Sequence, residues 1–204
     1  AQGLHLPPAR AAMTRVVLFN APPGSGKTVA AGFLAASFVD AEHVPLKGPL
    51  LVDVCREYNV DAAALDALCR DRQAKEEPCA ALGGMSPRQA MTRVYERSVA
   101  AGGGRDCFAR KLCERIGHRA LLVACDCGFV EELRPFVDQV GADSVLLVQI
   151  RRDGCTFTGD PRNWINDAPC RTISLDNNDK SLAEFLTLVA ARVALVFPDL
   201  ERLA

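Results

Sequence analysis

The stretch Ala21-Pro-Pro-Gly-Ser-Gly-Lys-Thr28 constrains this chain more than any other, because it follows directly on the apolar run Val16-Val-Leu-Phe-Asn20. It fits the pattern G-x-x-x-x-G-K-[ST], with Ala21 in place of the first glycine. A buried strand, a glycine-rich turn and a helix, in that order, make a cradle of backbone N–H groups for phosphate. The apolar run predicts the strand. A helix is expected to leave the loop from about Gly26, continue to about Ala36, and end near Val39-Asp40. Pro23, Gly24, Ser25 and Gly26 are expected to wrap phosphates. Lys27 is expected to reach the β- and γ-phosphates, and Thr28 to set its hydroxyl on Mg²⁺. The helix N-terminus adds a favourable field for an anion. A plain Gly/Pro turn would not need Lys and Thr in this order, so the reading is ATP with Mg²⁺.

A chain of 204 residues, 49% of them hydrophobic, is long enough for one substantial core, and residues 13–204 read as a single domain with a small lid. Residues 1–12 read as a disordered leader without the apolar stretch of a signal peptide. The net charge of −1 does not advertise nucleic-acid binding over the whole surface, but its distribution is uneven. Ser86–Arg119 holds eight Lys or Arg against three acids, whereas Asp53–Glu77 holds seven acids against four bases. A basic segment in a balanced chain suits an anionic substrate in a cleft, and equally a solvated helix face with internal pairs. The nine cysteines are scattered without a C-x-x-C pair, and with a nucleotide loop they read as reduced thiols of a cytoplasmic protein. No apolar run approaches 18 residues, so no membrane span is expected, while an oligomer is possible.

Further along, helical spacing runs over Leu51–Tyr58, Asp61 to about Lys75, Pro87 to about Ala100 with Ser86 as N-cap, and Asp106–Ile116. Ala120–Cys125 and Ser144–Ile150 read as buried strands, with Val130–Val140 helical between them. Arg151–Pro169 lacks periodicity. Arg171–Leu175 reads as a short strand and Lys180–Ala194 as a closing helix. Strands alternating with helices predict an α/β fold, a parallel sheet covered on both faces.

Ligands of such a sheet sit beyond the carboxyl ends of its strands. Asp126 follows the Ala120–Cys125 strand and is expected beside Lys27, to hold Mg²⁺ or to accept a proton from an attacking hydroxyl, unless it merely caps the next helix. Arg151 and Arg152 follow the next strand, and Arg162 lies in the loop beyond; lid arginines of this kind stabilise a transferring phosphoryl group, although a surface loop can carry such charges incidentally. Asn177 and Asn178 follow the last strand, where a nucleotide edge would be read, or where the chain simply turns. Arg88, Arg93, Arg97, Arg105 and Arg110 could clamp a phosphorylated acceptor, and Trp164 and Phe157 could stack on a base or serve as packing.

The order of Leu18–Thr28, Leu46-Lys-Gly-Pro-Leu50, Pro87–Met91, Gly104–Phe108, Val123–Glu132, Gly141–Asp143 and Ile173–Asn178 resembles the phage deoxynucleoside monophosphate kinase group of P-loop kinases. Two positions depart from that group: Thr28 stands where it usually has Asp, and Gly128 where it usually has an Arg that holds the substrate phosphate. The segments Asp126-Cys-Gly-Phe129 and Gly154–Arg162 look more like a related branch that phosphorylates 5-hydroxymethylpyrimidines, 5-hydroxymethyluracil foremost, within DNA. That resemblance implies an ATP-dependent kinase with Lys27, Asp126, Arg151, Arg152 and Arg162 at the reacting phosphate, and Phe129 near the acceptor. The modified base would leave the stack, with DNA phosphates along the basic helices. A free deoxynucleoside monophosphate is the alternative acceptor, and a nucleotide-dependent switch with no acceptor is a third reading.

Overall fold

Val17 and Phe19 of β1 (Arg15–Asn20) face one hydrophobic core while Val16 and Leu18 face another, and all four are fully buried. A strand covered on both sides has no polar face to show, so its sequence is an unbroken apolar run. The computed structural model describes residues 13–71, 73–114, 116 and 119–203 and places β1 at the centre of a five-stranded sheet. The order is β2 (Ala41–Pro45), β3 (Leu121–Cys125), β1, β4 (Val145–Arg151), β5 (Arg171–Asp176), and every neighbouring pair is parallel. The segment read as a leader, residues 1–12, lies outside the described residues.

Helices cover both faces. Ala30, Ala31 and Leu34 of α1 (Lys27–Ser37) and Phe185, Val189 and Val193 of α7 (Leu182–Val196) fill one core. Leu112 of α5 (Cys107–Cys113) and Phe136 of α6 (Arg134–Val140) fill the other. A third cluster joins α2 (Gly48–Tyr58), α3 (Ala62–Arg70) and α4 (Pro87–Ser98) around Val54, Leu65, Ala90 and Val94, in the stretch between β2 and β3. This is an α/β fold, a parallel sheet with helices on both faces, with the glycine-rich loop between the central strand and α1. Among the described residues no helix is long and apolar enough to cross a membrane.

The structure corrects several boundaries. The first helix ends at Ser37, and the chain turns at Asp40 (φ 51°) into an edge strand, β2, that the sequence reading did not contain. The helix expected to reach Lys75 stops at Arg70, capped at its start by Asp61, whose carboxylate accepts the Ala64 N–H at 2.9 Å. The stretch Val130–Val140 divides into a 3₁₀ turn, Val130–Glu132, and α6. Ser86 caps α4 as expected, in a reciprocal capping box with Gln89.

The carboxyl ends of β1 and β4 are knotted together by one buried amide. Asn20 Nδ2 donates to the carbonyls of Cys127 (2.9 Å) and Asn163 (3.0 Å), and Oδ1 accepts from Ile165 N–H (3.1 Å) and Gln149 Nε2 (3.3 Å). Gln149 Nε2 also donates to the Ile165 carbonyl at 2.8 Å. The loop after β4 is therefore tied to the sheet at 163–165. Asn20→Asp, which turns two donors into acceptors facing carbonyls, is expected to cost about 2–4 kcal/mol in chemical denaturation, as much as Asn20→Leu, because each leaves buried groups unpaired.

Candidate active site

The phosphate loop is shaped by two glycines in the left-handed region, Gly24 (φ 84°) and Gly26 (φ 98°). A Cβ on Gly26 would also come within 3.1 Å of Asn177 Nδ2. Ala21 needs no such freedom: its φ is not positive and its methyl is buried in the α1 core, which is why alanine suffices where the motif has glycine. Asn177 Nδ2 donates to the Ser25 carbonyl at 2.9 Å, and an Arg152 guanidinium nitrogen donates to the Gly24 carbonyl at 3.2 Å, so both brace the loop's backbone. Ser25 is buried, and among the described residues its Oγ has no hydrogen-bond partner.

Lys27 is buried at the start of α1, with Nζ 3.4 Å from the Pro22 carbonyl and 3.5 Å from Asp126 Oδ1. Asp126 caps β3 with a left-handed backbone (φ 72°), a conformation that Asp tolerates better than most side chains and that turns its carboxylate towards the loop. Burial works against its ionisation, but Lys27, Arg162 and Lys47 hold the carboxyl below the usual carboxylate range. Pro23, Gly24, Lys27, Thr28 and Asp126 line one cavity. Thr28 and Asp126 are thus hard oxygen donors beside the same space, which suits Mg²⁺, an ion that keeps most of its ligands as waters and phosphate oxygens.

A second cavity adjoins the first beyond Asp126, and the two share Lys47, Lys75, Arg88, Asp126, Asp160 and Arg162. Its far wall is apolar and aromatic, formed by Leu46, Leu50, Tyr95, Phe108 and Pro161, and it opens towards Met91 and Phe129. Tyr95 and Phe108 are stacked with centroids 5.9 Å apart, and Arg105 lies over the Phe129 ring at 4.8 Å.

Arg162 is the arginine that belongs to this centre. It donates to Asp126 (3.2 Å) and to both Asp160 oxygens (2.8 and 2.6 Å). Its pKa is raised, first by the bonds to Asp160. Its stem fills the space over Gly128, where a Cβ would fall 2.2 Å from Arg162 Cγ. Any side chain at 128 would therefore displace it.

The remaining arginines, Arg88 apart, go elsewhere. Arg151, the last residue of β4, lies over Trp164 at 4.5 Å and donates to Ser174 Oγ at 3.2 Å. Trp164 meets Phe157 edge-to-face at 5.3 Å, so these aromatics pack on one another rather than on the acceptor cavity. Asn178 pairs with Asp153 (2.8 and 3.1 Å) at the root of the loop after β4. Arg88 reaches the shared rim while bonded to Glu76 at 2.6 Å. Arg93 points to Met85 Sδ (3.8 Å), Arg97 pairs with Glu57, and Arg110 pairs with Asp106 and the Gly103 carbonyl. The structure does not bring Arg93, Arg97, Arg110, Arg151 or Trp164 to the cleft.

Three groups in the cleft were not singled out from the sequence: Lys47, Lys75 and Glu132. Glu132 Oε2 accepts the N–H groups of Gly128 (2.7 Å) and Phe129 (3.1 Å), fixing the turn that carries Phe129. Burial outweighs these bonds and pushes its pKa up to about 7. A carboxyl with a raised folded pKa contributes stability below its unfolded value, 4.5, and that contribution is lost as pH rises through about 7. Wild-type stability is expected to fall across that window by about 1–2 kcal/mol more than that of Glu132→Gln, measured by urea denaturation at pH 5 and pH 8.

No family model matches the chain, and no curated protein shows significant sequence similarity to it. Among solved structures, a gluconokinase from Sinorhizobium meliloti 1021 is similar, at 14% identity and a TM-score of 0.49, over 93% of this chain and 97% of that one.

Proposed function

We propose that the chain is an ATP- and Mg²⁺-dependent phosphotransferase whose acceptor is the hydroxymethyl group of a 5-hydroxymethylpyrimidine, 5-hydroxymethyluracil foremost, in DNA. The observation that carries this reading is the ionised Asp126, 3.5 Å from Lys27 Nζ, where the phosphate-loop cavity meets an aromatic-walled one. A neutral alcohol attacking phosphorus must shed a proton, and a carboxylate at that junction can take it. The wall of Leu50, Tyr95 and Phe108 suits a planar base held out of its stack.

Arg162 favours an alcohol over a monophosphate. It lies over Gly128 but is committed to two carboxylates, so it offers little to a substrate phosphate. Thr28 and Asp126 would hold Mg²⁺, which would offset the charge developing on the phosphates. The acceptor hydroxyl oxygen bonds to the γ-phosphorus as the bond to the β,γ-bridging oxygen breaks. ADP leaves with that electron pair, and the hydroxyl proton passes to Asp126.

The test is transfer of labelled γ-phosphate from ATP, in parallel, to an oligonucleotide containing 5-hydroxymethyluracil or 5-hydroxymethylcytosine and to the four free deoxynucleoside monophosphates. Label on the oligonucleotide alone is expected. Label on a monophosphate alone would replace this reading with a monophosphate kinase, and label on neither, with nucleotide-dependent partner binding, would replace it with a switch.

A further inference from the structure

Lys47 and Lys75 sit on the rim shared by the two cavities and line one of them together with Pro23, Gly24 and Lys27 of the phosphate loop. Lys47 precedes α2, and Lys75 lies in the segment between α3 and α4 whose backbone is held by Arg88 N–H donating to the Lys75 carbonyl at 3.1 Å. Neither lysine is fully exposed, and among the described residues neither has a carboxylate within 4 Å. Burial lowers the pKa of Lys75, and the positive charges of Lys47 and Arg88 lower it further. Several other cations do have carboxylate partners: Arg56 and Lys111 pair with Asp53, Arg70 with Asp66, and Arg119 with Asp40 and Glu42. Lys47, Lys75 and Arg88 repel one another on this rim, opposed by Asp126 from beyond ion-pair distance, and an anion in the cavity would relieve that repulsion.

We infer that Lys47 and Lys75 are catalytic residues that grip the transferring phosphoryl group from the acceptor side, completing the phosphate site that Lys27 begins. The inference rests on the phosphotransferase reading above but not on the identity of the acceptor. Phosphoryl transfer proceeds with charge spread over three equatorial oxygens, and fixed cations around them are the main way a protein lowers its barrier. Lys27 comes from the loop, and the lysine pair lines the same cavity from the start of α2 and the segment before α4. Arg151 and Arg152, expected in this role from their place after a strand, are occupied with Trp164 and the Gly24 carbonyl instead.

The experiment compares wild type with Lys47→Met, Lys75→Met and the double variant. Its readouts are the dissociation constants of ATP and ADP by calorimetry, kcat with whichever acceptor the wild type phosphorylates, and thermal unfolding of the ligand-free protein. Removing one lysine is expected to lower kcat about 100-fold. ADP affinity should stay within about twofold, the preference for ATP over ADP should shrink, and the ligand-free protein should melt no lower because the repulsion is gone. Partial rescue by Lys75→Arg separates charge from packing. An unchanged ATP-to-ADP preference overturns the inference, and a raised acceptor KM with unaltered kcat would mean that the pair holds the acceptor instead. If the preference shrinks but no hydroxymethylpyrimidine is phosphorylated, the acceptor reading fails while the lysine assignment stands.

Discussion

Lys27→Ala is expected to reduce phosphate transfer about 1000-fold while the protein stays folded. The rate effect follows from where Nζ sits, 3.5 Å from Asp126 in the cavity lined by the loop, so that on the proposed reading it is the buried cation α1 offers to a nucleotide. Removing a single preorganised group that faces developing phosphoryl charge costs factors of this order. The folding effect is smaller because Asp126 does not lose its last partner. Arg162 remains 3.2 Å away, so the carboxylate is still compensated, and truncation does not leave a bare buried charge. The assay is initial-rate transfer from labelled ATP, with circular dichroism as the check on folding. Wild-type turnover in the variant would remove the loop from the mechanism altogether.

Much of this centre was legible in the sequence because it depends on local order along the chain. A continuous apolar run, two glycines that must take positive φ, and a Lys-Thr pair at a helix start can be read without knowing the neighbours. Asp126 was legible by the rule that strand ends carry ligands, and the structure puts it beside Lys27. What could not be read depends on partners. β2 is five residues long, sits at the sheet edge and buries only Val44, so its pattern carries little signal. Arg151 and Arg152 are adjacent, yet the strand's alternation sends one to Trp164, while the other reaches the loop backbone. Arg93 and Arg97 share a face by i,i+4 spacing, but of the three arginines of α4 it is Arg88 that lines the cleft. Lys47 and Lys75 look like ordinary surface lysines until the third helical cluster folds them against the phosphate loop. Glu132 stood in a recognisable stretch, but its task comes from two backbone N–H groups that only the turn brings to it.

The strongest test of the proposed chemistry is Asp126→Asn, for which a loss of about 10²–10⁴ in kcat is expected. Asparagine is the right substitute because residue 126 has φ 72°, which Asn adopts as readily as Asp, whereas alanine would add backbone strain to the loss of charge. The amide keeps the shape and can still accept a hydrogen bond from Arg162, but it cannot take the proton of an attacking hydroxyl. ATP affinity should change only a few-fold, since Lys27 stays in place and is freed from its counter-ion. The pH dependence adds a second signature. Because the cations around it hold the Asp126 pKa low, its contribution to stability is present above its unfolded value of 3.8 and lost only as pH falls through the lower folded value. Any fall in wild-type activity between pH 5 and 7 must therefore come from another group, and Glu132, with its pKa near 7, is the carboxyl placed to produce it. Glu132→Gln should then flatten that limb, whereas Asp126→Asn should lower the whole profile without moving it. A variant at 126 that turned over normally but bound ATP poorly would leave the carboxylate a nucleotide or metal ligand alone and the hydroxyl proton without an acceptor at this position.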